Sequence, residues 1–407
     1  MGGGLKPVRV LAVAGLAALT QFSCSTSPGP QASASRLSSS SPAVVNPADS
    51  KAADLRTRLD LLLGEHVIVV AKESAAAADH NDEYTEYLGL LTNATDLVDL
   101  MRSAFGDTAA GQFQQLWAVQ NGYQVDYTIG LVTHNPSKSN GAMSGLINGF
   151  VPQFSQFVAT TTQLPLDPTT QLMTEQVLET QRMIDDQIAQ NYSKMYTDLR
   201  SAYAQASRIG DALAPKIVRK FPDKFPGDPS NKASDLRVSL SDLLQEHAYL
   251  ATMGTDAAVG GRAAERSAAA KALSDNADAL GTLFSGVFGA SAGTQFDQLW
   301  AAKNSAIATY AAAADQGAAK GALSNLNDTF VSQFGGFVHD STGLPSAASS
   351  PAMRTQVQAT ISVIDDQKTK AFVQLAADDR TAAVAMQAIA DLITAATAAK
   401  YPTRFGP

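Results

Sequence analysis

The hexapeptides QFQQLW (112–117) and QFDQLW (295–300) hold the only two tryptophans of the chain, and they belong to a long internal repeat. DLRTRLDLLLGEH (54–66) matches DLRVSLSDLLQEH (235–247), FVPQFSQFV (150–158) matches FVSQFGGFV (330–338), and KFPDKF (220–225) matches KYPTRF (400–405). The order is the same in both copies. His66 and His247 lie 181 residues apart, Trp117 and Trp300 183, and Pro165 and Pro345 180. A drift this small places the insertions and deletions in loops. The period is far longer than the roughly 20–50 residues of a solenoid unit, so each copy has the size of a complete domain.

Within each copy the apolar spacing is helical. Leu55, Leu59, Leu62, His66 and Val70 advance in steps of three or four, and Leu236, Leu240, Leu243 and His247 repeat the stripe. A second stripe runs through Phe113, Trp117, Gln120, Gln124 and Tyr127, matched by Phe296, Trp300, Lys303, Ile307 and Tyr310. Gly106, Gly289, Asn135-Pro136, Leu164-Pro165 and Leu344-Pro345 punctuate these segments, and no alternating strand pattern of useful length lies between them. The pattern predicts helices over 51–78, 82–105, 108–134, 138–162, 168–188 and 190–219, and again over 232–258, 262–288, 291–316, 318–341, 350–368 and 370–399. The expected fold is all-α: two tandem homologous up-and-down bundles of about four to six helices, over 51–227 and 228–407.

The N-terminus is a separate unit. Lys6 and Arg9 precede the apolar stretch LAVAGLAALT, which is too short to span a bilayer, and Ser23-Cys24 follows. Residues 1–23 read as an export signal. Cys24, the only cysteine, stands where bacterial lipoproteins carry their lipid, and the position resembles that site although Gln21 and Phe22 depart from its motif; an ordinary secretory signal is the alternative. Residues 24–50, rich in Ser, Pro and Ala, read as a disordered tether. The expected location is extracytoplasmic, on the cell membrane through an N-terminal lipid, or otherwise secreted. A net charge of −8 without a basic cluster argues against a nucleic-acid partner.

Polar residues that recur on the apolar stripes are the candidate site. His66 and His247 lead, either as metal ligands inside a bundle or as buried neutral imidazoles. Glu65 and Glu246 are one residue away, about 100° around the helix, so any metal needs ligands from other helices. His80, His134 and His339 have no histidine counterpart in the other copy. Asp185-Asp186 and Asp365-Asp366 could hold a cation, but near a helix junction they are better placed to cap the following helix. Arg200 and Arg380 could pair with such a carboxylate across the bundle. Asn93 with Asn276, Asn121 with Asn304 and Tyr127 with Tyr310 complete a set expected to satisfy buried hydrogen bonds. The chain has no phosphate loop, Cys-x-x-Cys, His-Glu-x-x-His or Gly-x-Ser-x-Gly, so a non-enzymatic role is expected and no catalytic residue is assigned.

The series DLR...LL.EH, F..LW...N.......Y, L....ID and a closing FP..F resembles an uncharacterised group of exported bacterial helical domains. They occur in Gram-positive surface proteins, some with a copper amine oxidase-like N-terminal module. The resemblance covers residues 54–225 and 235–405. It implies histidine at further positions, where this chain has Gln120 or Lys303, Gln176 or Gln356, and Gln205 or Ala385. A multi-histidine site would then be thinned to one histidine per copy, with Lys303 placing a positive charge where a cation would sit. The leading expectation is an envelope binding or interaction module for an unidentified protein or small ligand. The alternative is a copper, zinc or iron storage or buffering protein built on His66 and His247.

Overall fold

Ser50 starts the first long helix by accepting a hydrogen bond from Ala53 N at 3.1 Å, and Asn231 caps its counterpart by accepting from Ala233 N and Ser234 N. The structure, a computed structural model, describes residues 46–79, 81–92 and 94–406. The export signal, Cys24, most of the tether, His80 and Asn93 lie outside the described residues.

The chain is all-helical, with no strand among the described residues. In the first half the helices are α1 (Lys51–Ala78), α2 (Tyr84–Thr92), α3 (Thr95–Phe105), α4 (Asp107–Val132), α5 (Pro136–Ser144), α6 (Val151–Thr162), α7 (Leu166–Ile188) and α8 (Tyr192–Lys220). The second half has α9 (Lys232–Val259), α10 (Ala263–Phe288), α11 (Ala290–Ala312), α12 (Gln316–Ser324), α13 (Val331–Thr342), α14 (Ser346–Thr369), α15 (Phe372–Lys400) and the short α16 (Pro402–Phe405). Gly106 and Gly289, at φ 87° and 98°, turn the chain between α3 and α4 and between α10 and α11, a backbone region that only glycine enters without strain.

Two expected helices differ in detail. The segment expected as one helix over 82–105 is broken near residue 93, whereas α10 runs unbroken. The helices expected over 138–162 and 318–341 each contain a π-helical segment, Gly145–Phe150 and Asn325–Phe330, which inserts one residue into the turn.

α1 and α9 form the centre. Each was expected to show one apolar face, yet Val67, Ile68, Val69 and Val70 of α1 are all buried, because α1 packs on α8 of its own half and on α9 of the other. One continuous core therefore runs from Leu55 to Ile393, and from Asn46 onward the described residues cluster as a single compact unit. α15 is long and apolar enough to cross a membrane by composition, but half of it is buried in this core.

The repeated DLR and EH motifs hold the two halves together. Arg56 pairs with Asp211 of its own half at 2.6 Å and with Asp235 of the other at 2.5 Å. Arg237 reciprocates, with Asp391 at 2.7 Å and Asp54 at 3.4 Å. Glu65 meets Arg380 at 2.7 Å, and Arg200 meets Glu246 at 3.0 Å. Lys72 pairs with Asp379, which also accepts from Thr252 Oγ1 at 2.6 Å. Most of these ion pairs are partly exposed and each adds little, on the order of 1 kcal/mol or less. The shared apolar core dominates cohesion, and the ion pairs fix its register.

Candidate functional site

α1 carries His66 into the first half's core, where its ring lies 4.6 Å from that of Trp117 on α4, itself stacked on Phe113 at 5.1 Å. The inward stripe of α4 turns polar at this level, with Gln120, Asn121 and Gln124 all buried. α7 adds Gln176 and Met173 from the opposite side. Around these residues lies an otherwise apolar cavity of about 40 Å³, walled by Leu59, Leu63, Phe113 and Phe154 and reaching the partly exposed Phe105 and Phe157. A second, polar chamber of about 60 Å³ lies beside it, lined by Glu65, Asp96 and Arg380; His66, Leu97 and Trp117 border both.

Several polar atoms here are buried and unpartnered: His66 Nε2, Trp117 Nε1, Gln120 Oε1, Gln124 Oε1 and Gln176 Oε1. Such atoms are rare in folded proteins, since each costs about 1–3 kcal/mol. Desolvation pushes the His66 pKa down to about 4, partly offset by the nearby Gln124 carboxamide, so the ring is neutral at physiological pH.

The corresponding place in the second half is satisfied. His247 Nδ1 lies 2.9 Å from Asn276 Oδ1, and Nε2 lies 3.0 Å from Asn304 Oδ1; Trp300 Nε1 is 3.2 Å from Nδ1. Asn276 Nδ2 donates to Leu243 O and, at 2.7 Å, to Glu246 Oε2, which ties the histidine to the Glu246–Arg200 pair. Burial and then the charge of Lys303 hold the His247 pKa well below its usual value. Asn121, the partner of Asn304 in the repeat, turns away from His66 and donates to Leu91 O at 2.7 Å.

The difference in volume has a sequence cause. Where the first half has Met101 and Ala206, the second has Phe284 and Met386, both buried. The larger side chains take up space that Ala206 leaves to the cavity. Because His247 has partners to lose and His66 Nε2 has none, His247→Ala is expected to cost about 1–3 kcal/mol more than His66→Ala, the penalty of stranding buried polar groups. Urea unfolding of both variants at pH 7 measures it; equal losses would contradict the asymmetry.

The remaining candidates fall into structural roles. Tyr127 donates to Asp185 at 2.6 Å and Tyr310 to Asp365 at 2.7 Å. The expectation that the Asp pairs cap the next helix is corrected. Asp185, Asp186, Asp365 and Asp366 lie inside α7 and α14, and Asn191 and Ala371 stand at the cap positions. Asp186 instead accepts from Asn191 and Lys194, and Asp366 sits beside Asp378. Arg200 and Arg380 pair with Glu246 and Glu65 of the opposite half, not with these aspartates. The two glutamates are thereby committed to arginines. Among the described residues no three His, Cys, Asp or Glu side chains converge as a metal site requires.

Of the positions marked by resemblance, Gln120 and Gln176 do converge on His66, while Gln205 is used up by Leu172 O and Arg208. Met101 and Ala206 were not singled out from sequence; the signal was available, as size differences from Phe284 and Met386 across the repeat. Compared with known proteins, the chain matches no protein-family model, no curated protein and no solved structure.

Proposed function

We propose that the protein is a non-enzymatic, exported binding module, held at the cell membrane through a lipid on Cys24, in which two homologous helical bundles share one core and the first takes up a small, largely apolar guest. The observation that carries the reading is the first-half cavity, apolar on most sides and edged by unpartnered polar atoms of Trp117, Gln120 and Gln176. Ligand sites typically combine an apolar wall with a few fixed polar groups. Homology of the bundles is supported by elements of like length in the same order and by a π-helical segment at the corresponding place in each half. The second bundle then serves as the scaffold that supplies Arg380 to the polar chamber and buttresses α1.

The test is a thermal-shift screen of the full-length chain against benzene, toluene, phenol and indole, with Ala206→Met as the control that puts the second half's own residue into the cavity. A guest should raise the melting temperature of the parent and not of Ala206→Met. No shift with any probe, or equal shifts in both proteins, would remove the reading.

A further inference from the structure

Resting on that binding reading, the composition of the cavity wall narrows the guest. The residues that line the apolar chamber include one titratable group, His66, and its ring is neutral. A charged head group buried there would find no opposite charge, and an unpaired buried ion is far too costly to tolerate. A pure hydrocarbon fits the apolar walls but leaves every polar atom at the rim unanswered.

Those atoms are of both kinds. Trp117 Nε1 can only donate, and it is buried without an acceptor. Gln120 Oε1 and Gln176 Oε1 can only accept, and the Gln176 amide nitrogen is already committed to Thr180 Oγ1 at 3.2 Å. Trp117, Gln120 and Gln176 are each more than nine-tenths buried. His66 Nε2 completes the rim and takes either role according to tautomer. A hydroxyl is the smallest neutral group that donates and accepts at once, and one hydroxyl can answer Trp117 and a glutamine together.

Size sets a second limit. A benzene-sized guest needs roughly 150 Å³, against about 40 Å³ in the closed cavity. The walls that must give way are the flexible thioethers of Met101 and Met173 and the partly exposed ring of Phe157. We infer that the first-half cavity is a site for a compact, uncharged, hydroxyl-bearing apolar molecule, an alcohol or phenol of about one ring, whose hydroxyl accepts from Trp117 Nε1 and donates to one carboxamide oxygen, that of Gln120 or of Gln176.

Phenol and benzene differ by this hydroxyl alone, so calorimetric titration of the full-length chain with phenol, benzene and benzoate decides it. Phenol should bind at one site per chain and at least tenfold tighter than benzene, and benzoate should not bind at pH 7. The Gln120→Leu, Gln176→Leu double variant should bring phenol toward the affinity of benzene while leaving benzene unchanged. In a Trp300→Phe background, Trp117 fluorescence should respond to phenol, and Ala206→Met should abolish the response. Equal affinity for phenol and benzene would overturn the hydroxyl assignment and leave the cavity reading standing; preference for benzoate would overturn it as well. Failure of both neutral probes to bind, in a protein whose melting is otherwise normal, would overturn the two together.

Discussion

Replacing Lys303 by methionine should stabilise the protein by roughly 4 kcal/mol at pH 7 and by almost nothing near pH 10.5. Lys303 is 1% exposed, its Nζ lies 4.7 Å from the centre of the Trp300 ring, and no carboxylate pairs with it among the described residues. Burial alone drives its pKa from 10.5 down to about 7. The sign follows from linkage. An unfolded chain protonates this amine below about pH 10.5, while the native protein resists until about 7, so stability is lost as pH falls across that window and stays low beneath it. At about 1.4 kcal/mol per pH unit the loss amounts to the figure above. Attraction to the Trp300 face opposes it by about 2 kcal/mol at most, so desolvation wins. Methionine keeps the length of the chain and drops the charge. Urea unfolding of both proteins at pH 7 and pH 10 gives the answer; a variant no more stable than the parent at pH 7 would show that Lys303 has a compensating partner.

Lys303 also shows how far the site could be read from sequence. Its place on the stripe of Trp300 and Tyr310 marked it as inward-facing, and the repeat paired it with Gln120. That much was legible because helical periodicity fixes direction along one element. What the spacing could not give was which inward residues meet. His66 and His247 occupy the same place in the same motif, yet His247 has Asn276 and Asn304 at its two ring nitrogens and His66 leaves Nε2 unpartnered, while Asn121 donates to Leu91 O. Side-chain size at Ala206 and Met386, each about 140 residues along the chain from the histidine of its own half, also differs between the two places.

The shared core was hidden for a related reason. A period near 180 residues says that a unit recurs, but not whether the units keep separate cores. The clue lay in GEHVIVVA, where an unbroken apolar run wraps α1 beyond a single face. DLR and EH were legible as repeated words, and their ionic partners were not, since each reaches the opposite half. The aspartates at 185–186 and 365–366 already fell inside the helices expected over 168–188 and 350–368; the helices that follow start two residues later than expected, at Tyr192 and Phe372, and leave the cap positions to Asn191 and Ala371.

The junction between α1 and α9 yields the other large effect: Asp242→Asn should stabilise the protein by about 2–4 kcal/mol at pH 8 and leave it unchanged near pH 4. Asp60 is 0% exposed with both carboxyl oxygens unpartnered, and Oδ1 of Asp242 is buried without a partner although the residue is partly exposed. Gly210 on α8 admits the Asp60 carboxyl, which a Cβ there would meet at 1.7 Å. Burial raises both groups; Asp242 and Asp211 raise Asp60 further, while Asp242 goes to about 7 against a hydrogen bond with Ser207, with Asp211 and Glu246 adding to the rise. Arg56 is the nearby cation, and it is already engaged by Asp211 and Asp235. The unfolded chain releases these protons near pH 4 while the native protein keeps them, so stability falls as pH climbs from about 4 to about 7 and remains low above. Asparagine cannot ionise and escapes that loss; the lower end of the range allows for water reaching the Asp242 carboxyl. The buried histidines act in the opposite sense, costing stability as pH falls below about 6.5. Because the Asp242 carboxylate raises Asp60, Asp60→Asn and Asp242→Asn together should stabilise by less than the sum of the two. A flat stability profile between pH 5 and 8 in the parent, or additive gains in the double variant, would mean that the two carboxyls are solvated independently of each other.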